Sequence, residues 1–188
     1  MTRGLLLVLA LVACGDVSTT HAEQSASLVA EPTEVREARA AMASSRPWRA
    51  TLLLTPLLRD SARREPEYVL LAARAAAQWG GWSEVERLLR GQRWLDSLDA
   101  GAGRELLARA ALDMRRDTVA VAEAERAVAE SKGARERGTR LVLLARALER
   151  TKQLDRARAT YDLAARDLPS IADWLALRSL ALDPDSAR

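Results

Sequence analysis

The sequence predicts an all-α protein built from four short helical hairpins and one terminal helix. From residue 34 onward, apolar residues recur at spacings of three and four, which is the pattern of amphipathic helices. The same region is dominated by alanine, leucine, arginine and glutamate, which favour helix. No stretch shows the alternation of apolar and polar residues that predicts a half-buried strand. Prolines and glycines divide the pattern into short helices.

The first hairpin is predicted on both sides of Pro47. Its first helix is marked by Val35, Ala38, Ala41 and Met42. Its second helix is marked by Trp48, Leu52, Leu53 and Leu57. Pro47 suits the first turn of that second helix, whereas Pro56 is expected to interrupt or end it.

The second and third hairpins follow the same plan. Pro66 opens the third helix, whose apolar face is Val69, Leu70, Ala73 and Ala76. Gly80 and Gly81 end that helix by permitting a left-handed turn, and Ser83 is the expected N-cap of the next. That helix carries Val85, Leu88 and Leu89. The third hairpin shows Leu106, Leu107, Ala110 and Ala111, a break near Arg116 and Asp117, and then Val121, Ala124 and Val128, closed by Gly133.

The fourth hairpin and the terminal helix complete the array. The hairpin is marked by Leu141, Leu144, Ala145 and Leu148, and then by Leu154, Ala157, Tyr161 and Ala164. A last helix is expected to begin at Ser170, since Asp173 three residues later resembles a capping box. Its apolar residues are Ile171, Trp174, Leu175 and Leu177. No following helix is predicted to cover them, so this face is a candidate for self-association.

A repeat relates the four hairpins. Ala50, Val85, Ala120 and Ala157 fall at equivalent early positions of the four second helices, separated by 35, 35 and 37 residues. The unit Leu141-x₂-Leu144-Ala145-x₂-Leu148, followed by Ala157-x₃-Tyr161-x₂-Ala164 and Pro169, resembles the tetratricopeptide repeat (TPR). The resemblance implies a right-handed superhelix whose first helices line a concave surface. Small or complementary residues are then expected where helices cross: Ala73, Val85, Leu89, Ala108, Ala120, Ala145, Ala157 and Tyr161.

The N-terminus indicates export and lipidation. Arg3 precedes an apolar run, residues 5–12, that is too short to cross a bilayer as a helix. The run ends in Leu11-Val12-Ala13-Cys14-Gly15, which resembles the lipobox of bacterial lipoproteins. The resemblance implies a signal peptide over 1–13, lipidation of Cys14, and an extracytoplasmic protein anchored to the inner or outer membrane. Residues 14–33 are predicted to be a tether, 34–182 the repeat domain and 183–188 a tail.

Composition argues against most catalytic and nucleic-acid-binding classes. The 188 residues include one Cys and one His, so metal sites, cofactor sites and His-based catalysis lack their usual side chains. The 27 arginines and two lysines face 26 acidic residues, and a net charge of +3 is too small to predict nucleic-acid binding. No phosphate-binding loop is present. We therefore expect a protein that is not an enzyme and has no cofactor.

Two functions remain open. The first is a scaffold that binds a protein or peptide of the cell envelope along the concave surface, where the expected contact residues are Arg74, Gln78, Arg109, Arg146 and Arg150. The second rests on Trp79-Gly80-Gly81-Trp82 and on Leu168 to Leu175, which resemble the α-superhelical region of soluble lytic murein transglycosylases. That resemblance implies a stand-alone or truncated superhelix associated with peptidoglycan, without the catalytic domain.

Overall fold

The computed structural model describes residues 31–182, and within this range all regular structure is helical. The nine helices described are α1 Thr33–Ala43, α2 Pro47–Arg59, α3 Pro66–Gln78, α4 Trp82–Leu89, α5 Ala102–Asp113, α6 Asp117–Ala129, α7 Ala134–Arg150, α8 Leu154–Asp167 and α9 Ala172–Leu180. Short 3₁₀ turns occupy Ser61–Arg63, Leu98–Gly101 and Pro169–Ile171. The predicted signal peptide, Cys14, tether residues 14–30 and the tail 183–188 lie outside the described residues. None of the described helices has the length and hydropathy of a membrane span.

Each helix packs against the next one in the chain, so the fold is a linear array. The first helices of successive hairpins also touch, α3 against α5 and α5 against α7. The core is accordingly divided into successive clusters, the first spanning α1 to α5, the second α5 to α8 and the third α7 to α9. This arrangement confirms the predicted all-α hairpin array with a terminal helix.

The same turn closes the first helix of every hairpin. The residues Ser45, Gly80, Arg115 and Lys152 have positive φ values of 55°, 80°, 60° and 63°, and are separated by 35, 35 and 37 residues. In each turn, the residue after the one with positive φ donates its backbone N–H to the carbonyl oxygen five residues earlier. In the first turn, Arg46 N–H donates to Ala41 O at 2.8 Å. The other three such bonds are Gly81 to Ala76, Arg116 to Ala111 and Gln153 to Leu148. This is a Schellman motif, and it gives the sequence period a backbone counterpart.

Small buried residues mark where the helices of each hairpin cross. Equivalent positions of the first helices are occupied by Ala38, Ala73, Ala108 and Ala145, and those of the second helices by Ala50, Val85, Ala120 and Ala157. All eight are fully buried, as are Leu89 and Tyr161 one turn later in the second and fourth hairpins. Larger side chains at the crossings would force the helices apart and lose close packing.

Two predicted N-caps are wrong. Helix α4 begins at Trp82 with Gly81 at its N-cap, because the Schellman turn ends at Gly81 and leaves no linker before the next helix. Ser83 is therefore inside the first turn. Helix α9 begins at Ala172, and Ser170 lies in the preceding 3₁₀ turn, where Pro169 fixes the backbone and Ile171 N–H donates to Leu168 O at 3.1 Å. Asp173 makes no capping bond.

Helix α2 departs from its prediction in two ways. It continues through Pro56 to Arg59, because Pro56 is exposed while the fully buried Leu54 and Leu57 hold the helix on the core at either side of it. Its buried face is centred on Ala50, Leu54 and Leu57, so Trp48 and Leu52 point to solvent, 56% and 55% exposed.

Candidate functional site

An open groove of about 480 Å³ lies along the first helices of the third and fourth hairpins. It is bounded by α5, α7, the start of α4 and the connection between α8 and α9. Its apolar lining residues are Trp82, Leu112, Val142, Leu143, Leu168 and Ile171. Its polar lining residues are Arg109, Asp113, Thr139, Arg146 and Arg150.

Three of the five predicted contact residues, Arg109, Arg146 and Arg150, line this groove. The repeat explains their alignment, since Arg109 and Arg146 each follow the buried crossing alanine of their helix. Arg74 occupies the same position in α3 but lies outside the groove, where it pairs with Asp99. Gln78 is exposed at the end of α3, also outside the groove.

The three groove arginines differ in how far they are already neutralised. Arg109 Nη2 donates to Glu105 Oε1 at 2.7 Å. Arg150 Nη1 donates to Leu112 O at 2.6 Å, and Nη2 lies 2.8 Å from Asp117 Oδ1 at angles outside hydrogen-bond geometry. Arg146 is exposed and, among residues 31–182, has neither an ion pair nor a side-chain hydrogen bond. Arg146 is therefore the cation in the groove that is most available to a ligand.

A buried arginine lies behind the groove, and its burial was not predicted from the sequence. Arg140 is 1% exposed, and its Nη1 donates to Ala100 O at 2.7 Å, Ala127 O at 2.9 Å and Ser131 Oγ at 3.1 Å. Its Nη2 is 2.7 Å from Glu136. The sequence carried one signal for this burial, because Arg140 stands four residues before Leu144 and eight before Leu148, in apolar register on α7.

Glu105 joins the buried network to the groove. Its Oε2 accepts a hydrogen bond from Arg140 Nε at 3.2 Å, and its Oε1 accepts one from Arg109. The carboxylate is thus fixed from behind by a buried cation. Arg109 consequently has a defined orientation on the groove wall.

A second network holds the terminal helix in place. Tyr161 is fully buried and donates its hydroxyl to Glu149 Oε1 at 2.5 Å. Arg178 on α9 donates its Nε to the same oxygen at 3.0 Å. Burial, together with the neighbouring Glu149 carboxylate, raises the pKa of Tyr161 to about 12. By fixing α9, the network also fixes the connection that supplies Leu168 and Ile171 to the groove.

Two of the five tryptophans are half-buried and three are exposed. Trp82 and Trp94 are half-buried and pack against the first core cluster. Trp79 also contacts the preceding hairpin, with its ring 5.0 Å from that of Trp48 at 82° and its Nε1 donating to Thr51 Oγ1 at 3.1 Å. Trp48 and Trp174 are more than half exposed.

The groove combines cationic, acidic and apolar side chains. It offers one unpaired guanidinium, two partly neutralised ones, a carboxylate and an apolar wall. Within residues 31–182, no three or more His, Cys, Asp or Glu side chains are grouped so that they could hold a metal ion. A guanidinium beside apolar side chains suits a ligand that carries both a carboxylate and apolar groups.

Comparison with known proteins supports the fold and not a family. No family model matches the chain, and no curated protein matches it in sequence. Two solved structures of MamA, a TPR-like all-helical protein, are similar in fold at 16% sequence identity. A "MamA RS-1 ArsTM double mutant" gives a TM-score of 0.61 and covers 79% of this chain and 86% of its own. The structure "MamA 41-end from Desulfovibrio magneticus RS-1" gives a TM-score of 0.60, and the match covers 84% of this chain and 92% of that chain. The predicted TPR-like fold is confirmed.

Proposed function

We propose that the protein is a non-catalytic, lipid-anchored scaffold of the bacterial envelope that binds an acidic segment of another protein. The supporting observation is Arg146, an unpaired cation in a groove with an apolar wall. The anchor part of the proposal rests on the lipobox-like sequence ending at Cys14. The chain would then lie on the extracytoplasmic side of the inner or the outer membrane.

The shape of the groove favours an extended peptide over a small molecule. The groove is open, and it runs across equivalent positions of successive hairpins rather than ending in an enclosed cavity. Arg109 and Arg146 would meet carboxylates, while Val142 and Ile171 would meet apolar side chains of the same segment. Exposed ion pairs contribute little free energy, so we expect weak and reversible binding.

Photo-crosslinking in cells tests this proposal while the partner is unidentified. A crosslinker placed at the exposed groove residue Thr139 should capture a protein through an acidic segment, whereas one at the exposed Ala122 on α6 should not. The crosslinked segment, made as a peptide, should bind the Arg146→Gln chain about two- to fivefold more weakly than the wild type. Arg93→Gln is the matched control, since Arg93 is exposed on the connection after α4.

Two outcomes would contradict this function. The first is capture of a segment that lacks Asp and Glu. The second is equal affinity of the Arg146→Gln and Arg93→Gln variants for the captured peptide. Binding to isolated peptidoglycan that is insensitive to both variants would favour the second function, a superhelix associated with the cell wall.

A further inference from the structure

The solvent face of α2 has a composition unlike that of the other helices. Among the nine described helices, α2 alone contains no Asp or Glu. At about 100° per residue, Trp48, Arg49, Leu52, Pro56 and Arg59 fall within one arc of roughly 100°. All five are exposed, and the opposite side of the helix is buried in the core. The exposed face is therefore apolar and cationic. We call these five residues the α2 face.

The cations of the α2 face are not neutralised within the protein. Arg49 and Arg59 form no ion pair with the residues described, and neither does Arg46 at the N-cap. The acidic side chain that shares a pocket with Arg59 is Glu84, which is already bound by Arg87 at 2.7 Å. These arginines are thus free to meet an anionic surface.

The apolar part of the α2 face is held in place by the neighbouring hairpin. The ring of Trp79 packs edge-on against Trp48 at 5.0 Å and is itself fixed by the hydrogen bond to Thr51. Trp79 is 38% exposed and extends the apolar surface beside Trp48. A fixed, exposed tryptophan therefore stands beside cations on a helix without acids.

We propose that the α2 face is a contact surface for an anionic phospholipid bilayer. Tryptophan is favoured at the membrane interface, and helices that lie in that plane combine an apolar face with Lys or Arg. The predicted lipid anchor at Cys14 would also hold the N-terminal end of the chain at a membrane, and this support rests on the proposed function. A tether from Cys14 to Glu31 reaches at most about 60 Å, so it would keep the first hairpin near the bilayer.

Vesicle flotation of the chain from residue 14 to 188, with Cys14→Ser, tests the contact without any acyl group. We expect it to bind vesicles of phosphatidylglycerol and phosphatidylethanolamine and not those of phosphatidylcholine alone. A basic residue near an anionic surface contributes about a fivefold gain in partitioning, so Arg49→Gln with Arg59→Gln should lower it about 25-fold. Trp48→Ser with Leu52→Ser should lower it by at least as much.

Two control variants match these changes in type and exposure. Arg135→Gln with Arg166→Gln removes two exposed arginines elsewhere, and Val119→Ser with Leu163→Ser removes two exposed apolar side chains of α6 and α8. Each control should change partitioning by less than about twofold, since neither pair lies on the α2 face. Thermal melts of all variants show whether they are folded. The arginine variants should melt at the wild-type temperature, whereas Trp48→Ser with Leu52→Ser should melt somewhat lower, because it loses the contact between Trp48 and Trp79.

Three results would overturn the proposal. They are no binding to anionic vesicles, an equal loss in the control variants, or a vesicle-free dimer that the Trp48→Ser and Leu52→Ser changes dissociate. The last would make the α2 face an interface between copies of the chain. Because this assay contains no lipidated protein, its failure leaves the anchor and the groove untouched, and those are tested by their own variants.

Discussion

Arg140 joins the third and fourth hairpins through a buried network of hydrogen bonds and ion pairs. Replacing it with Ala would leave Glu105, Glu136 and two backbone carbonyls without their buried donor. Loss of one partner from a buried ionic network costs about 3–5 kcal/mol. We expect Arg140→Ala to lower the free energy of unfolding by that amount in chemical denaturation. The exposed Arg135→Ala should change it by less than about 0.5 kcal/mol, and equal midpoints would show that the network contributes nothing.

Lipidation of Cys14 can be tested with a single substitution. If it is lipidated, Cys14→Ser should move the protein from the membrane fraction to the soluble extracytoplasmic fraction, because the acyl chains provide the anchor. Cell fractionation and immunoblotting measure the shift. Ser18→Ala, in the same predicted tether, is the control and should stay with the membrane. Retention of the Cys14→Ser variant there would reject the anchor.

The repeated Schellman turns place residues with a Cβ in a left-handed conformation, which lowers the stability of the folded protein by a measurable amount. Arg115 and Lys152 adopt the left-handed conformation, which costs a residue with a Cβ about 1–2 kcal/mol. Replacing either with Gly removes that cost but gives the unfolded chain more freedom, so we expect a net gain of about 0.5–1 kcal/mol. Thermal melts of the two variants measure the gain.

Gly80 provides the reverse experiment at the equivalent turn. A Cβ added there meets nothing within 4 Å, so Gly80→Ala tests the backbone conformation alone. It should destabilise the protein by about 1 kcal/mol. If Gly80→Ala and Arg115→Gly shift the melting temperature in the same direction, the turn assignment is wrong.

Docking of α9 should depend on pH through Tyr161. Its pKa is about 12 in the folded protein and about 10 in an unfolded chain. A raised pKa of this kind stabilises the folded state fully below pH 10, and the contribution disappears as the pH rises to 12. We expect the free energy of unfolding to fall by about 2 kcal/mol over that window. The Tyr161→Phe variant should show a smaller fall, and parallel curves would contradict the assignment.

The sequence predicted those features of the helices that repeat in every hairpin, and missed those that depend on the preceding turn or on distant residues. The small residues at the helix crossings and their spacing of about 35 residues could be predicted, because the same close packing recurs in every hairpin. The N-caps at Ser83 and Ser170 were not, since the backbone turn or 3₁₀ turn before each helix decides where it begins. The pairing of Arg74 with Asp99, 25 residues away, and the bonds of Arg140 to Glu105 and Ala100, 35 and 40 residues away, join distant parts of the chain, which local patterns do not encode.

At the scale of the whole molecule, the described array ends with an uncovered apolar face. Trp174, Leu177 and Leu180 on α9 are all more than half exposed, while Leu175 is buried against the fourth hairpin. We therefore expect the soluble fragment 31–188 to self-associate with rising concentration, and the double change Trp174→Ser and Leu177→Ser to reduce this. Sedimentation over a hundredfold range of concentration measures it. A strict monomer throughout would reject self-association, and Leu163→Ser, on the exposed side of α8, is the control.

The four equivalent turns also explain how such a protein diverges without changing shape. Ser45, Gly80, Arg115 and Lys152 share one conformation and one hydrogen-bond pattern, although glycine is present in only one of them. The repeat period is thus kept by hydrogen bonds between main-chain atoms, which every residue type supplies. A small conformational free energy is the cost of having a residue other than glycine at the turn. Mutational drift can then erase the recognisable signature of each unit while the spacing of the units persists. A fold shared at 16% sequence identity, with a TM-score of 0.61, shows that this arrangement of helices does not require a fixed set of side chains.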